Sequence, residues 1–188
     1  MLKLTLQSLR HLVLWTVITG LAYPAVITLI AQFAFPKAAN GSLVERNGKV
    51  VGSALLAQQF LGTNYFWPRP SADTYATVAS GASNLGPTSG QQYTNVLSNL
   101  AAFRSGNNLA TNAPVPGDMA YASGSGLDPH ISPEAAQLQI QRVADARHLP
   151  ADKVRALVTQ YTEAPQLGFL GEPRVNVLLL NLALDAVK

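Results

Sequence analysis

The stretch LVLWTVITGLAYPAVITLIAQFAF, running from Leu12 to Phe35, holds 24 residues without one charged side chain, and no other run of that length in the 188-residue chain is both uncharged and predominantly apolar. A helix rises about 1.5 Å per residue, so about 20 apolar residues cross the hydrocarbon core of a bilayer. Residues 12–35 are therefore expected to form one transmembrane helix, with residues 1–11 as a short N-terminal tail. Residues 36–188 are polar and mixed in composition and have the usual length of one globular domain. The expected fold class is α+β: one N-terminal membrane helix followed by a single mixed α/β soluble domain.

A cleaved signal peptide is the rival reading, with Lys3 and Arg10 as its basic start. Signal cores are only about 7–15 residues long and end at an Ala-x-Ala-like site. This run is longer, and no Ala-x-Ala occurs between Leu12 and Asn40. A retained anchor is the reading adopted. Pro24 cannot donate to the carbonyl of Gly20, which predicts a kink in mid-span. Thr16, Gly20 and Tyr23 fall on one helical face at i, i+4 and i+7, where small residues let a partner helix approach. A single span also tolerates such residues facing lipid.

Charge leaves sidedness open. Lys3 and Arg10 precede the span, while Lys37, Arg46 and Lys49 follow it with Glu45 among them. The net charge of +3 invites a nucleic-acid partner, but residues 36–188 carry 11 basic against 10 acidic side chains, scattered rather than clustered. No basic stripe exists to follow a phosphate backbone, so nucleic acid is excluded as a partner. The lack of cysteine removes disulfides, thiolate metal sites and cysteine nucleophiles.

Within the domain, Ser42–Arg46 and Lys49–Leu56 flank Asn47-Gly48, a strong hairpin signal. Phe60 to Gly90 is rich in Gly, Pro, Ser, Thr and Asn, and Trp67-Pro68-Arg69-Pro70 and Gly86-Pro87 forbid a continuous helix there. Its aromatic residues (Phe60, Tyr65, Phe66 and Trp67) favour an ordered loop because they give it something to bury. Gln91 to Arg104 is expected to be helical, with Val96, Leu97, Leu100 and Phe103 on one face, and Asn107 to Gly117 a linker. Ser132 before Pro133 predicts an N-cap, with Glu134 near the positive helix end, Arg147 and His148 near the negative end, and Ala136, Ile140 and Val143 buried. Pro150 marks the next start, with Val154, Leu157, Val158 and Tyr161 inward. Val177–Val187 is too short for a second span. Asn181, Asp185 and Lys188 give it one polar stripe, and it reads as a core helix on a short strand at Arg174–Asn176.

Catalytic motifs are absent: there is no phosphate-binding P-loop, and Ser83 has Leu85 where a nucleophile elbow needs glycine. Ser125, Asp128 and His130 supply triad-type side chains, which defines a membrane-anchored serine hydrolase as an alternative. So short a loop rarely holds three groups in relay geometry. His11, His130 and His148 lack metal spacing, so no metal ligands are assigned. The segment Ala122-Ser123-Gly124-Ser125-Gly126-Leu127-Asp128 stands out, leading through Pro129 to the Ser132 cap. Its small residues can turn backbone N–H groups toward an anion at a helix N-terminus. The other reading is a tight strand-to-helix connection in which Asp128 forms an Asx turn.

In its ordered set of short motifs the chain resembles the C subunit of the Kdp potassium-transporting P-type ATPase, the KdpC family, over nearly its whole length. The motifs are Tyr23-Pro24, Asn40-Gly41-Ser42-Leu43, Gly52-Ser53-Ala54-Leu55 with Gln58 and Phe60, and Tyr65-Phe66-x-x-Arg69-Pro70-Ser71-Ala72. Ser83-Asn84-Leu85-Gly86-Pro87-Thr88 follows, then Ser123 to Ser132, Arg142-Val143-Ala144-x-Ala146-Arg147, Gly171-Glu172-Pro173-x-Val175-Asn176-Val177, and Leu180-Asn181-Leu182-Ala183-Leu184-Asp185. Ala82 departs from the family's Gly-Gly-Ser-Asn.

This resemblance implies a non-catalytic accessory subunit in a bacterial inner membrane. The implied partners are a channel-like potassium-translocating subunit, an ATP-hydrolysing P-type subunit and a small fourth subunit. It implies a catalytic chaperone that raises the ATP affinity of the hydrolysing subunit, with no tightly bound cofactor but ATP as a ligand to consider. Gln139, with Ser123, Ser125 and Gly126 upstream, then forms the candidate nucleotide contact. It also implies an extracytoplasmic domain, which could not touch cytoplasmic ATP, so any effect on ATP affinity would pass between subunits as a coupling free energy. The alternative role is docking over the outer mouth of the pore, with Trp67 and Arg69 as contacts beside the membrane face of Thr16, Gly20 and Tyr23.

Overall fold

The computed structural model describes residues 1–187, and divides the chain into two compact units, Met1–Val51 and Gly52 onward. The expectation for Lys188 lies outside the described residues.

The first unit is dominated by a helical segment from Leu2 to Ala34, 33 residues with no buried side chain along its apolar window. At about 1.5 Å per residue it extends about 50 Å, longer than a hydrocarbon core is thick. The tail expected at residues 1–11 is itself helical. Leu recurs there beside Lys3, Gln7 and Arg10, without Gly or Pro, a composition that favours helix. The segment has three parts: α1 (Leu2–Val17), a π-helical turn (Ile18–Ala22) and α2 (Tyr23–Ala34). The irregularity expected at Pro24 thus falls in the turn just before it, where the Tyr23 N–H reaches back to the Ile18 carbonyl. Widening the turn accommodates the proline ring against the carbonyl four residues earlier. Phe35 leaves helical geometry (φ −136°, ψ 52°) because Pro36 disfavours it. A single turn, α3 (Pro36–Ala39), follows.

The hairpin forms as expected from Asn47-Gly48, both at positive φ (53° and 73°), between β1 (Leu43–Arg46) and β2 (Lys49–Ser53). The second strand ends at Ser53 rather than Leu56, since the Ser53 carbonyl accepts from Leu56 N–H and its hydroxyl from Leu55 N–H.

In the second unit, α4 (Gly90–Gly106) begins on a Ser89 cap. Of its expected inner face only Phe103 is buried, and Leu97 is 48% exposed. A short α5 (Gly117–Ala120) lies at the end of the expected linker. The Ser132 hydroxyl caps α6 (Pro133–Arg147) by accepting from Ala135 N–H, and α6 stops at His148 in left-handed geometry (φ 55°). Pro150 precedes α7 (Ala151–Gln160), and the Asn176 side chain caps α8 (Val177–Ala186). Two strands of two residues each, β3 (His130–Ile131) and β4 (Thr162–Glu163), flank the anticipated β5 (Arg174–Asn176) in an antiparallel sheet ordered β3-β5-β4. Ile131 and Thr162 both register on Val175.

The core lies where α6, α7 and α8 meet β5. Ala136, Ile140, Val143, Val154, Val158, Val175, Leu180 and Leu184 are buried there, with Phe66 inserted from the long loop. That loop is thus ordered by its aromatics, as the sequence predicts.

Candidate functional site

The loop from Asn64 to Arg69 is held by polar side chains of α6 and α8. Gln139 has no exposed surface; its Oε1 accepts from Trp67 N–H (2.7 Å) and from Arg142 Nη2 (2.7 Å), and its Nε2 donates to the Trp67 carbonyl (3.3 Å). Asn181 treats the preceding residue alike, accepting from Phe66 N–H at 2.8 Å and donating to its carbonyl at 3.0 Å. Asn181 and Asp185 of the polar stripe expected on α8 thus face this loop, Asp185 accepting from the Tyr65 hydroxyl at 3.3 Å. Arg142, 5% exposed, donates to Asn107 Oδ1 (2.8 Å) and to the Thr63 and Tyr65 carbonyls. Its guanidinium sits 4.1 Å from the Trp67 ring centre, a cation–π contact. Burial pulls it down to about 10, so it stays charged at neutral pH. Arg147 pairs with Asp185 (2.7 Å), donates to the Asn64 carbonyl (2.6 Å) and lies over Tyr65.

Trp67, expected to face a partner, is half-buried here, with its Nε1–H donating to the Gly62 carbonyl at 3.0 Å. A Cβ on Gly106 would come within 2.2 Å of the ring, so the absence of a side chain there admits the indole.

The Ser/Gly segment folds as a self-satisfied turn. Ser123 is buried and its hydroxyl accepts from Asp128 N–H (3.4 Å); that of Ser125 accepts from Leu127 N–H (3.1 Å). Ser123 N–H donates to the Pro70 carbonyl and Gly126 N–H to the Ser123 carbonyl. Gly126 is left-handed (φ 69°), packed against the Gly81 carbonyl and the Ser71 hydroxyl. Asp128 Oδ1 accepts from His130 N–H (3.0 Å), the anticipated Asx turn. These internal bonds use amides that an anion cradle would need. Gln139 is enclosed on the loop side of α6, so the turn and Gln139 do not share one open surface.

Asp128 also pairs with Arg69 at 2.8 Å, and the His130 ring lies 3.5 Å away. Partial burial would raise the carboxyl. The His130 side chain and amide, then the hydrogen bond and charge of Arg69, outweigh this and hold it at about 2. The Tyr75 hydroxyl donates to the Arg69 carbonyl (2.8 Å), and burial pushes that phenol up to about 12. Among the described residues no hydrogen bond joins Ser125 to His130, and no group of three His, Asp or Glu side chains could hold a metal ion.

Arg69, Asp128 and His130 help to line an open groove of about 1190 Å³, with Val115, Pro116, Leu138 and Pro173 in its apolar lining. On the first unit, Thr16 and Gly20 remain neighbours, and Tyr23 is 65% exposed beyond the π turn. The wider turn alters the angle at which Tyr23 leaves the helix relative to regular i+7 spacing.

Arg142, Arg147 and Asn181 were named in the sequence but not as residues that hold this loop. A signal existed: Gln139 and Arg142 interrupt the otherwise apolar face of Ala136, Ile140 and Val143, and polar groups on a buried face require partners.

Comparison with known proteins agrees with the motif pattern. The family described as "KdpC: K+-transporting ATPase, c chain" matches residues 5–186. The potassium-transporting ATPase KdpC subunit of Methylococcus capsulatus is 52% identical over 184 residues, covering 96% of each chain. That of Paraburkholderia phytofirmans is 53% identical, covering 92% of this chain and 91% of its own. That of Geobacter metallireducens is 51% identical and covers 95% of each. With the family matched over nearly the whole chain and relatives above 50% identical along it, the chain belongs to the KdpC family, the c chain of potassium-transporting ATPases.

Proposed function

We propose that this chain is a non-enzymatic docking subunit of an ATP-driven potassium uptake complex, held in the membrane by its N-terminal helix with its domain on the extracytoplasmic side. Its partners are a channel-like potassium-translocating subunit, the ATP-hydrolysing subunit and a small fourth subunit. It raises ATP affinity of the hydrolysing subunit as a catalytic chaperone would, but through coupled conformational states of those partners rather than by touching nucleotide. The observation that carries this is the enclosure of Gln139: all its polar contacts serve Trp67 and Arg142, and Ser123 is equally spent on its own turn. A domain so internally satisfied offers a rigid shape, not a nucleotide cradle.

Two measurements test the proposal. Because the chain has no cysteine, Ser125→Cys can be probed with a membrane-impermeant maleimide in cells with a permeable outer layer. Labelling without lysis is expected; labelling only after lysis would place the domain beside cytoplasmic ATP and overturn the indirect mechanism. Complexes purified with and without this chain should differ in their KM for ATP, while the full chain alone in detergent should bind none. ATP binding by the chain alone would restore direct contact through Ser123, Ser125, Gly126 and Gln139.

A further inference from the structure

Between β4 and β5 the chain forms a tight hairpin tip. Gln166 and Leu170 bridge through paired backbone bonds of 2.9 Å, Gly168 N–H donates to the Pro165 carbonyl (3.0 Å), and Phe169 N–H to the Gln166 carbonyl (3.2 Å). This ordered tip displays Leu167, Phe169 and Leu170 at 83%, 75% and 49% exposure. Three adjacent large apolar side chains held out by a hydrogen-bonded turn form a patch of the kind that marks interaction sites. Leu167 sits at φ 53°, a left-handed geometry that bulky residues seldom adopt and that Gly or Asn would adopt with less strain. Backbone strain at an exposed leucine, with no core contact to offset it, points to a role outside the fold.

We infer that the 165–171 tip is a protein-docking knob that enters an apolar socket on another subunit of the transport complex; this rests on the subunit reading above. Charge favours protein over lipid. Between Gln160 and Asn176 the acidic residues are Glu163 and Glu172, and the single basic residue, Arg174, is paired with Glu163 at 2.9 Å. This stretch has no lysine or free arginine with which to hold lipid headgroups. A preformed tip also loses little conformational freedom on docking.

The experiment places a benzophenone phenylalanine at position 169 of the full chain, irradiates the assembled complex in membranes, and uses the same probe at exposed Lys153 as control. A discrete adduct with one protein subunit from position 169 but not 153 is expected. Adducts with lipid alone, or equal protein adducts from both positions, overturn the inference. Leu167→Asn with Phe169→Ser keeps the turn geometry and should lower recovery of the chain with the complex about tenfold or more without changing its thermal midpoint. Wild-type recovery overturns the knob while leaving the subunit reading intact. Failure of the unsubstituted chain to co-purify with any large membrane subunit overturns the subunit reading itself.

Discussion

Gln139 and Asn181, on different helices, each bind both the N–H and the C=O of consecutive residues, Trp67 and Phe66 respectively. Two side-chain amides thereby replace the neighbouring strand that this irregular segment lacks. Pro68 and Pro70 prevent the loop from pairing regularly as a central strand, so its buried backbone groups must be satisfied by side chains. The arrangement lets Phe66 reach the core while the loop remains irregular.

Gln139→Leu and Asn181→Leu should each strand a buried N–H and C=O, costing about 1–3 kcal/mol per orphaned group. For a domain of this size each kcal/mol lowers the thermal midpoint by about 2–4 °C. Because both amides hold one segment, the double variant should lose less than the sum of the single losses. Thermal unfolding of the full chain in detergent reads this, and an unchanged midpoint for Gln139→Leu would show that the clamp contributes nothing.

Much of this was legible in sequence. Ser132-Pro133, the Asn47-Gly48 turn and the period of Val154, Leu157, Val158 and Tyr161 each rest on local chemistry, and local chemistry is what a sequence states directly. β3 and β4 were not legible, since two-residue strands carry no alternation and exist only because β5 lies between them. Asn181 was legible only as part of a polar stripe, because helical spacing gives a face but not its neighbour; that neighbour is a loop more than 100 residues away. The same limit hid the clamp around Gln139, whose partner Trp67 lies 72 residues away in sequence.

Gly106→Ala tests the seat of Trp67. Its new Cβ would meet the indole ring at 2.2 Å, and the ring is held on its other contacts by Arg142 and the Gly62 carbonyl. Overpacking of this kind costs about 1–3 kcal/mol. A Trp67→Leu background should shrink the penalty, so the double-mutant coupling energy has a defined sign. Equal penalties in both backgrounds would mean that the clash is not with Trp67.

Gly126 and Gly124 offer an internal comparison within one turn. Gly126 is left-handed and a Cβ there would lie 3.0 Å from the Gly81 carbonyl, whereas a Cβ on Gly124 meets nothing within 4 Å. Gly126→Ala should cost about 1–2 kcal/mol or more from backbone geometry and contact together. Gly124→Ala should be close to neutral in the same unfolding assay. Similar effects at the two positions would show that the close approach to residue 81 is immaterial.

The Arg69–Asp128 pair sets a dependence on acid. Asp128 is held at about 2 in the folded chain against 3.8 in the unfolded one, so between these values the unfolded state carries more of the proton. Stability from this group is therefore fully present above about 4 and is lost as pH falls through about 2. The side chain is 30% exposed, so solvent screening reduces its contribution to about 1 kcal/mol. Asp128→Asn should lower stability at neutral pH and flatten the profile in that acid window, after subtraction of the other carboxylates common to both proteins. The carboxyl carbon of Asp128 should titrate by NMR with a midpoint near 2. A midpoint near the unperturbed value would mean that His130 and Arg69 do not stabilise its charge, and the turn that joins the long loop to α6 would then rest on the Ser123 and Ser125 hydroxyls and its backbone bonds.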